Sequence, residues 1–347
     1  MDNFLNTGYI YDPVFLKHDQ SYHPECAKRL EVILNGLKTS DILKFLHQFP
    51  CRTATQDELE YVHTTQYINQ VKEICEKGGG NLDPDTYTTS FTYDAAAIAV
   101  GSLIDLTIAV IGGKLKNGFA LVRPPGHHAL ANRAMGFCIF SNVAIAAKAA
   151  LMKDGIERVA IVDFDVHHGN GTQAVLEENS RILYISSHLF PYYPGTGNME
   201  EIGSGEGKGT TINLPLAAGV GDEGFKAIYS EILTPVLRRF QPQMIFVSAG
   251  YDCHWDDPLA NLSLSLEGLF WISQTLVNLA GELCDGRIIF ALEGGYNLQV
   301  LSLGVANSIK ALLGRVDFSD PIGKSQRPEP DLTDYIVAIK KIHGLND

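Results

Sequence analysis

Ile161-Val162-Asp163-Phe164-Asp165-Val166-His167-His168-Gly169-Asn170-Gly171-Thr172 is the stretch on which the fold turns. It begins as the end of an apolar run, Val159 to Val162, that follows Arg158 and is too short for a helix. Such a run reads as a strand buried on both faces, the kind a parallel sheet contains. Asp163, Asp165 and His167 then fall at every second position. While the chain stays extended their side chains project to one side, and Gly169 and Gly171 let it turn sharply afterwards. Three charged or metal-capable groups on one side of a strand end form a site. An Asp-rich turn with a satisfied histidine is the competing reading, and other segments must decide.

Three further apolar runs end in the same way. Met244-Ile245-Phe246-Val247 leads into Ala249-Gly250-Tyr251-Asp252-Cys253-His254, which offers Asp252 as a third ligand beside Asp165 and His167. Gly118 to Val122 leads into Arg123-Pro124-Pro125-Gly126-His127-His128, and Ile288 to Leu292 into Glu293-Gly294-Gly295-Tyr296-Asn297. Ligands bind outside the carboxyl ends of strands in open α/β sheets, so four polar, glycine-punctuated turns can converge there. Helical periodicity covers Cys26 to Leu37, Gln56 to Leu59, Thr65 to Glu76, Tyr93 to Ile111, Asn142 to Lys153, Gly224 to Phe240, Leu264 to Leu283 and Leu298 to Leu313. Asn81 to Thr86 and Gly203 to Gly209 read as turns, the latter without the Lys-Ser/Thr ending of a phosphate cradle. Strands alternating with helices predict α/β architecture with a parallel sheet.

With 347 residues, 45% of them hydrophobic and 19% charged, the chain can bury a large core. A net charge of −13 argues against direct binding to nucleic acid or anionic membrane and favours a cationic substrate such as a lysine-rich peptide or a polyamine. The six cysteines are scattered without a C-x-x-C, and Met1 to Pro13 lacks a basic-then-apolar leader, which predicts a cytoplasmic protein. Ala95 to Gly113 is the most apolar window, but Asp105 and three glycines interrupt it, so it reads as a buried helix rather than a membrane span.

Taken in order, Arg-Pro-Pro-Gly-His-His, Asp-x-Asp-x-His-His-Gly-Asn-Gly-Thr-Gln, Ala-Gly-Tyr-Asp and Glu-Gly-Gly-Tyr-Asn resemble the motifs of zinc-dependent histone deacetylases and their bacterial relatives, the acetylpolyamine amidohydrolases. The resemblance runs from about Tyr9 to about Leu313, and Asn170, where class I deacetylases carry an aspartate, is similar to the class II branch. It implies one catalytic domain over residues 1–347, a three-layer α/β/α arrangement of the arginase–deacetylase kind with a mainly parallel central sheet, and a tail from 316 ending in a helix.

The same resemblance implies the chemistry. Asp165, His167 and Asp252 hold one zinc ion, with iron(II) as the alternative. His128 is general base and then proton donor, oriented by Asn170, while Asp163 orients His127 and keeps it electropositive. Tyr296 donates to the oxyanion. Gly136 and Phe137 form one wall of a substrate tunnel, and Tyr193 stands on the other where the family has phenylalanine, which bears on acyl-chain length. Asp85 is the rim residue that holds the substrate backbone, with His18 and His23 in the nearby loop. Leu259 occupies the position of a glutamate gatekeeper in polyamine-selective members, and Arg29 lines an internal channel. The backbone carbonyls of Asp163, Asp165 and His167, with Ser186 and Ser187, match a structural potassium site, and a second lies around Leu176, Asn179 and Ile182.

The expected activity is therefore removal of acetyl, or a longer acyl group, from lysine side chains of proteins or peptides. Acetylpolyamine hydrolysis is the alternative, and a catalytically silent binding scaffold the reading from another class. An arginase-like ureohydrolase would need a second metal with additional carboxylate and histidine ligands, for which no residues are found.

Overall fold

The computed structural model describes residues 7 to 345, so part of the leader reading and the last two residues of the tail lie outside them. Eight strands form one sheet: β1 (Thr7–Ile10), β2 (His47–Gln48) and, beyond a separate antiparallel hairpin of β3 (Gly79–Asp83) and β4 (Thr86–Thr89), β5 (Asn117–Ala120), β6 (Val159–Asp163), β7 (Ile182–Leu189), β8 (Thr211–Leu216), β9 (Met244–Ala249) and β10 (Ile288–Leu292). Their order is β2-β1-β5-β10-β9-β6-β7-β8, and every pairing is parallel.

Every residue of β5, β6, β7, β9 and β10 is buried. Successive strand residues face opposite sides, so this burial requires cover on both, and the helices supply it. In chain order these are α1 (Lys28–Thr39), α2 (Gln56–Leu59), α3 (Thr65–Glu76), α4 (Thr92–Ile111), α5 (Asn142–Ala150), α6 (Asn170–Leu176), α7 (Asp222–Ile228), α8 (Thr234–Phe240), α9 (Leu266–Leu283), α10 (Leu298–Leu312) and α11 (Thr333–Ile342). One packed set contains α1, α9 and α10; another contains α4 and α5 with α2 and α3. The result is a three-layer α/β/α fold. Helix α4 is long and apolar enough to cross a bilayer, yet 72% of its most apolar window is buried inside the protein.

One ladder row fixes where the site lies. Ala120, Ala291, Ser248, Asp163 and Ser186 stand side by side on β5, β10, β9, β6 and β7. Neighbouring strands are about 4.8 Å apart, so turns that leave these strand ends are within side-chain reach of one another.

Three local expectations change. The extended alternation stops at Asp163: Asp163 Oδ1 accepts the Asp165 N–H at 3.1 Å and Asp165 Oδ1 the His167 N–H at 2.9 Å, bending the chain through side-chain-capped turns. Asn81 to Thr86 is the tip and arms of the β3–β4 hairpin rather than a free turn. The helix expected over Gly224 to Phe240 is divided by a π-turn, Tyr229–Leu233, because Pro235 has no N–H to give and its ring crowds the preceding turn. Gly203 to Gly209 packs on the end of α6, with the Ser204 N–H donating to the Glu177 carbonyl at 2.9 Å.

Candidate active site

The turns after β6, β9 and β10 bring Asp165, His167 and Asp252 together, with one donor atom from each within 4.8 Å of the others. Each carboxylate is oriented by backbone. Asp165 Oδ2 accepts the Gly294 N–H at 2.8 Å, and Asp252 Oδ1 accepts the Val166 N–H at 3.0 Å. Their other oxygens face His167 Nδ1, at 3.1 Å from Asp165 Oδ1 and 3.3 Å from Asp252 Oδ2. Asp252 Oδ2 is buried without a hydrogen-bond partner. Metal–ligand bonds of about 2.0 to 2.1 Å in a tetrahedral site place ligand atoms roughly 3.3 Å apart, so these donors are spaced for one small divalent ion. Gly294 is required here: a Cβ would run into Asp252 Oδ2 and Asp165 Oδ2.

A second cluster, His127, Cys138 and Glu293, has donor atoms within the same 4.8 Å limit but suits a metal poorly. Glu293 already accepts from Gly126 N at 2.7 Å, His127 N at 3.2 Å and Ser248 Oγ at 3.1 Å. Burial pushes the Cys138 thiol well above its ordinary value, away from the thiolate a metal needs.

The two adjacent histidines differ in their surroundings. His127 Nδ1 lies 3.1 Å from Asp163 Oδ2 and His127 Nε2 lies 3.8 Å from Asp165 Oδ1. Burial alone would depress its pKa, but the Asp165 and Asp163 carboxylates more than offset that and raise it to about 10. His128 Nδ1 meets Asn170 Oδ1 at 2.8 Å, which makes Nδ1 the protonated nitrogen and leaves Nε2 its lone pair. Burial first, then the neighbouring His127, holds His128 well below the ordinary histidine value.

A cavity of about 100 Å³ opens onto these groups. It is lined by Asp85, Pro125, His127, His128, Gly136, Phe137, His167, Tyr193, Leu259, Gly294 and Tyr296. The Phe137 ring packs edge-on to Tyr296 at 5.9 Å, and the Tyr193 ring edge-on to His128 at 5.2 Å. Phe137 sits at φ 69°, a left-handed conformation costly for a bulky residue, and its N–H donates to Thr86 Oγ1 at 3.1 Å.

Arg29 is fully buried beneath Tyr296 and is not among the residues lining the cavity. Its Nε donates to the Gly295 carbonyl at 2.8 Å and Nη2 to the Glu293 carbonyl at 2.6 Å, with the guanidinium 5.1 Å from the Tyr296 ring centre. Ser186 and Ser187 are buried at the end of β7; Ser187 Oγ is 3.4 Å from the Asp163 carbonyl, while Ser186 Oγ pairs with His188 Nδ1 at 2.9 Å. His18 is buried, 2.7 Å from Thr92 Oγ1, and His23 packs edge-on to Phe137 at 4.6 Å.

Several residues that shape the site escape a reading of the sequence. Glu25 is completely buried between Arg29, 3.1 Å away, and Arg123, whose Nη2 is 2.7 Å away. The Tyr184 hydroxyl donates to Asp163 Oδ2 at 3.0 Å, behind His127. The Tyr192 ring stacks on His167 at 5.7 Å. Glu25 directly precedes the helical run from Cys26 and Tyr192 adjoins Tyr193, but nothing local links them to their partners.

Fold and site together define a hydrolase of the arginase–deacetylase fold class. The chain belongs to the histone deacetylase family: the profile of the histone deacetylase domain matches residues 23–312. It is 40% identical over 351 residues to histone deacetylase 14, chloroplastic, of Arabidopsis thaliana, covering 95% of this chain and 83% of that protein. A probable deacetylase of Archaeoglobus fulgidus is 41% identical over 297 residues, covering 84% and 82%. The crystal structure of the HD domain of HDA15 superposes with a TM-score of 0.90 at 35% identity, covering 97% of this chain and 94% of that one. This membership supports deacetylase activity on an acetylated substrate.

Proposed function

We propose that this protein removes acetyl groups from the ε-amine of lysine in proteins or peptides. The observation that carries the reading is that a single aromatic-walled cavity is lined at once by His127, His128, His167 and Tyr296. A divalent ion on Asp165, His167 and Asp252, zinc first and iron(II) second, would supply a Lewis acid for the amide carbonyl and a water of lowered pKa.

The remaining steps belong to the chain. His128 Nε2 takes the proton of the attacking water and returns it to the leaving amine; the Asn170 oxygen holds it in the required tautomer without adding charge. His127, kept cationic between Asp163 and Asp165, stabilises negative charge as it develops. The Tyr296 hydroxyl donates to the oxyanion on the substrate carbon. Phe137 and Tyr193 hold the methylene chain, and Asp85 accepts from the substrate backbone at the mouth. Leu259, apolar where a gatekeeper glutamate would select a polyamine, favours acyl-lysine. We further infer that the chain acts as one catalytic unit, that potassium occupies the carbonyl cluster beside Ser186 and Ser187, and that the six unpaired cysteines favour a reducing compartment, the cytoplasm.

The test is turnover of an acetyl-lysine peptide beside acetylated spermidine and putrescine, with metal analysis of the purified protein and an acyl-length series. Preferred cleavage of the peptide by metal-bearing protein is expected. A large preference for the polyamine would reverse the order of substrates, and metal-free, inactive protein would make it a binding scaffold.

A further inference from the structure

Asp257, five residues beyond Asp252, belongs to none of the motifs above, and its side chain is outside the cavity lining. It is 6% exposed and makes no ion pair among the described residues. Its carboxylate is instead shared between two turns. Oδ2 accepts the Tyr296 N–H at 2.7 Å and the Asn297 N–H at 3.1 Å; Oδ1 accepts the Leu259 N–H at 3.0 Å. Asn297 also reaches back, its Nδ2 donating to the Asp256 carbonyl and to Asp256 Oδ2, both at 2.9 Å. On the far side the Tyr192 hydroxyl donates to the Leu259 carbonyl. Asp257 thus joins the loop carrying the mouth residue to the turn carrying the phenol, and the Leu259 carbonyl ties the loop carrying the aromatic wall to the first of these.

We propose that Asp257 is a positioning residue that sets the aim of the Tyr296 hydroxyl and couples it to the tunnel mouth at Leu259; this rests on the hydrolase reading above. A buried anion is costly without compensation, and three backbone donors to two oxygens supply it. An amide cannot replace it: with its one oxygen toward Tyr296 and Asn297, its NH2 faces the Leu259 N–H, and donors then oppose each other. A sub-ångström error in the turn is enough to misalign a catalytic hydroxyl.

The experiment compares kcat, KM and metal content for Asp257→Asn, Tyr296→Phe and the double variant on an acetyl-lysine peptide. Asp257→Asn is expected to lower kcat about ten- to hundredfold with KM and metal content nearly unchanged. In the Tyr296→Phe background the same change should cost less than about threefold, because the group it aims is gone. Equal losses in both backgrounds, with Tyr296→Phe itself impaired, would leave the hydrolase mechanism standing and overturn the positioning role. Full activity of Tyr296→Phe would instead remove the tyrosine from the mechanism and this proposal with it. If Asp257→Asn does not fold, Asp257→Glu, which keeps the charge and both acceptors, carries the same comparison and the same outcomes.

Discussion

His127 and His128 have ring centres 4.0 Å apart yet opposite electrostatic surroundings, one against carboxylates and one against an amide. On the proposed mechanism that difference is what makes His128 the base, and it is adjustable at one position. Asn170→Asp would place a carboxylate on His128 Nδ1, favour the imidazolium and raise the His128 pKa. A base must be neutral to act, so the acid limb of the kcat/KM profile should move to higher pH. An unmoved limb would show that His128 is not the titrating base. Tyr296→Phe, which removes one oxyanion donor and no buried bulk, should lower kcat roughly a hundred- to thousandfold, about 3 to 4 kcal/mol, while circular dichroism and metal content stay those of the parent.

At the level of elements, the site depends on turns that leave no room for adjustment. Gly294→Ala should drive Cβ onto the facing oxygens of Asp165 and Asp252 while leaving β10 intact, so metal content should fall steeply with only a modest shift in thermal midpoint. Glu25 ties α1 to the turn after β5 by pairing Arg29 and Arg123, all three fully buried. Glu25→Gln leaves two buried guanidinium groups without a counter-charge, for a loss of roughly 3 to 5 kcal/mol by denaturant titration. These two cases also show what the sequence could carry. The Glu-Gly-Gly-Tyr turn is legible because its residues act on neighbours along the chain and follow a recognisable buried strand. Helix α1 is legible from its periodicity, but the inward burial of Arg29 is not: its partners, the Glu293 and Gly295 carbonyls, lie 264 and 266 residues away. Asp257 is hidden for the same reason, since its role is defined by a turn 39 residues further on. The break in the helix after Ile228 had a visible local cause in Pro235, which the apolar spacing around it masked.

Over the whole molecule, packing has enclosed histidines in their neutral form. His63, His168 and His188 are buried, and burial is the leading cause of pKa values lowered to about 4, about 4 and about 3. In His63 both ring nitrogens are committed: Nδ1–H donates to the Leu130 carbonyl at 3.0 Å, and Nε2 accepts the Ser141 N–H at 2.9 Å. A second proton would find a donor where it needs an acceptor. The unfolded chain takes up protons on such rings near pH 6.5, whereas the native state resists until about pH 4. Between those values the unfolded state binds more protons, so this contribution to stability is complete above about pH 6.5 and is lost as pH falls towards 4. The slope is about 1.4 kcal/mol per pH unit for one ring, or roughly 3 kcal/mol across the window. His63→Gln isolates it, because an amide can reproduce one donor and one acceptor but does not titrate. The variant should be less stable than the parent at pH 7.5, and the gap should close by about 1.4 kcal/mol for each unit below 6.5. Chemical denaturation of both proteins at pH 7.5, 6, 5.5 and 5 measures this difference while other titrating groups cancel, and a gap independent of pH would mean that His63 binds its proton equally in the native and unfolded states.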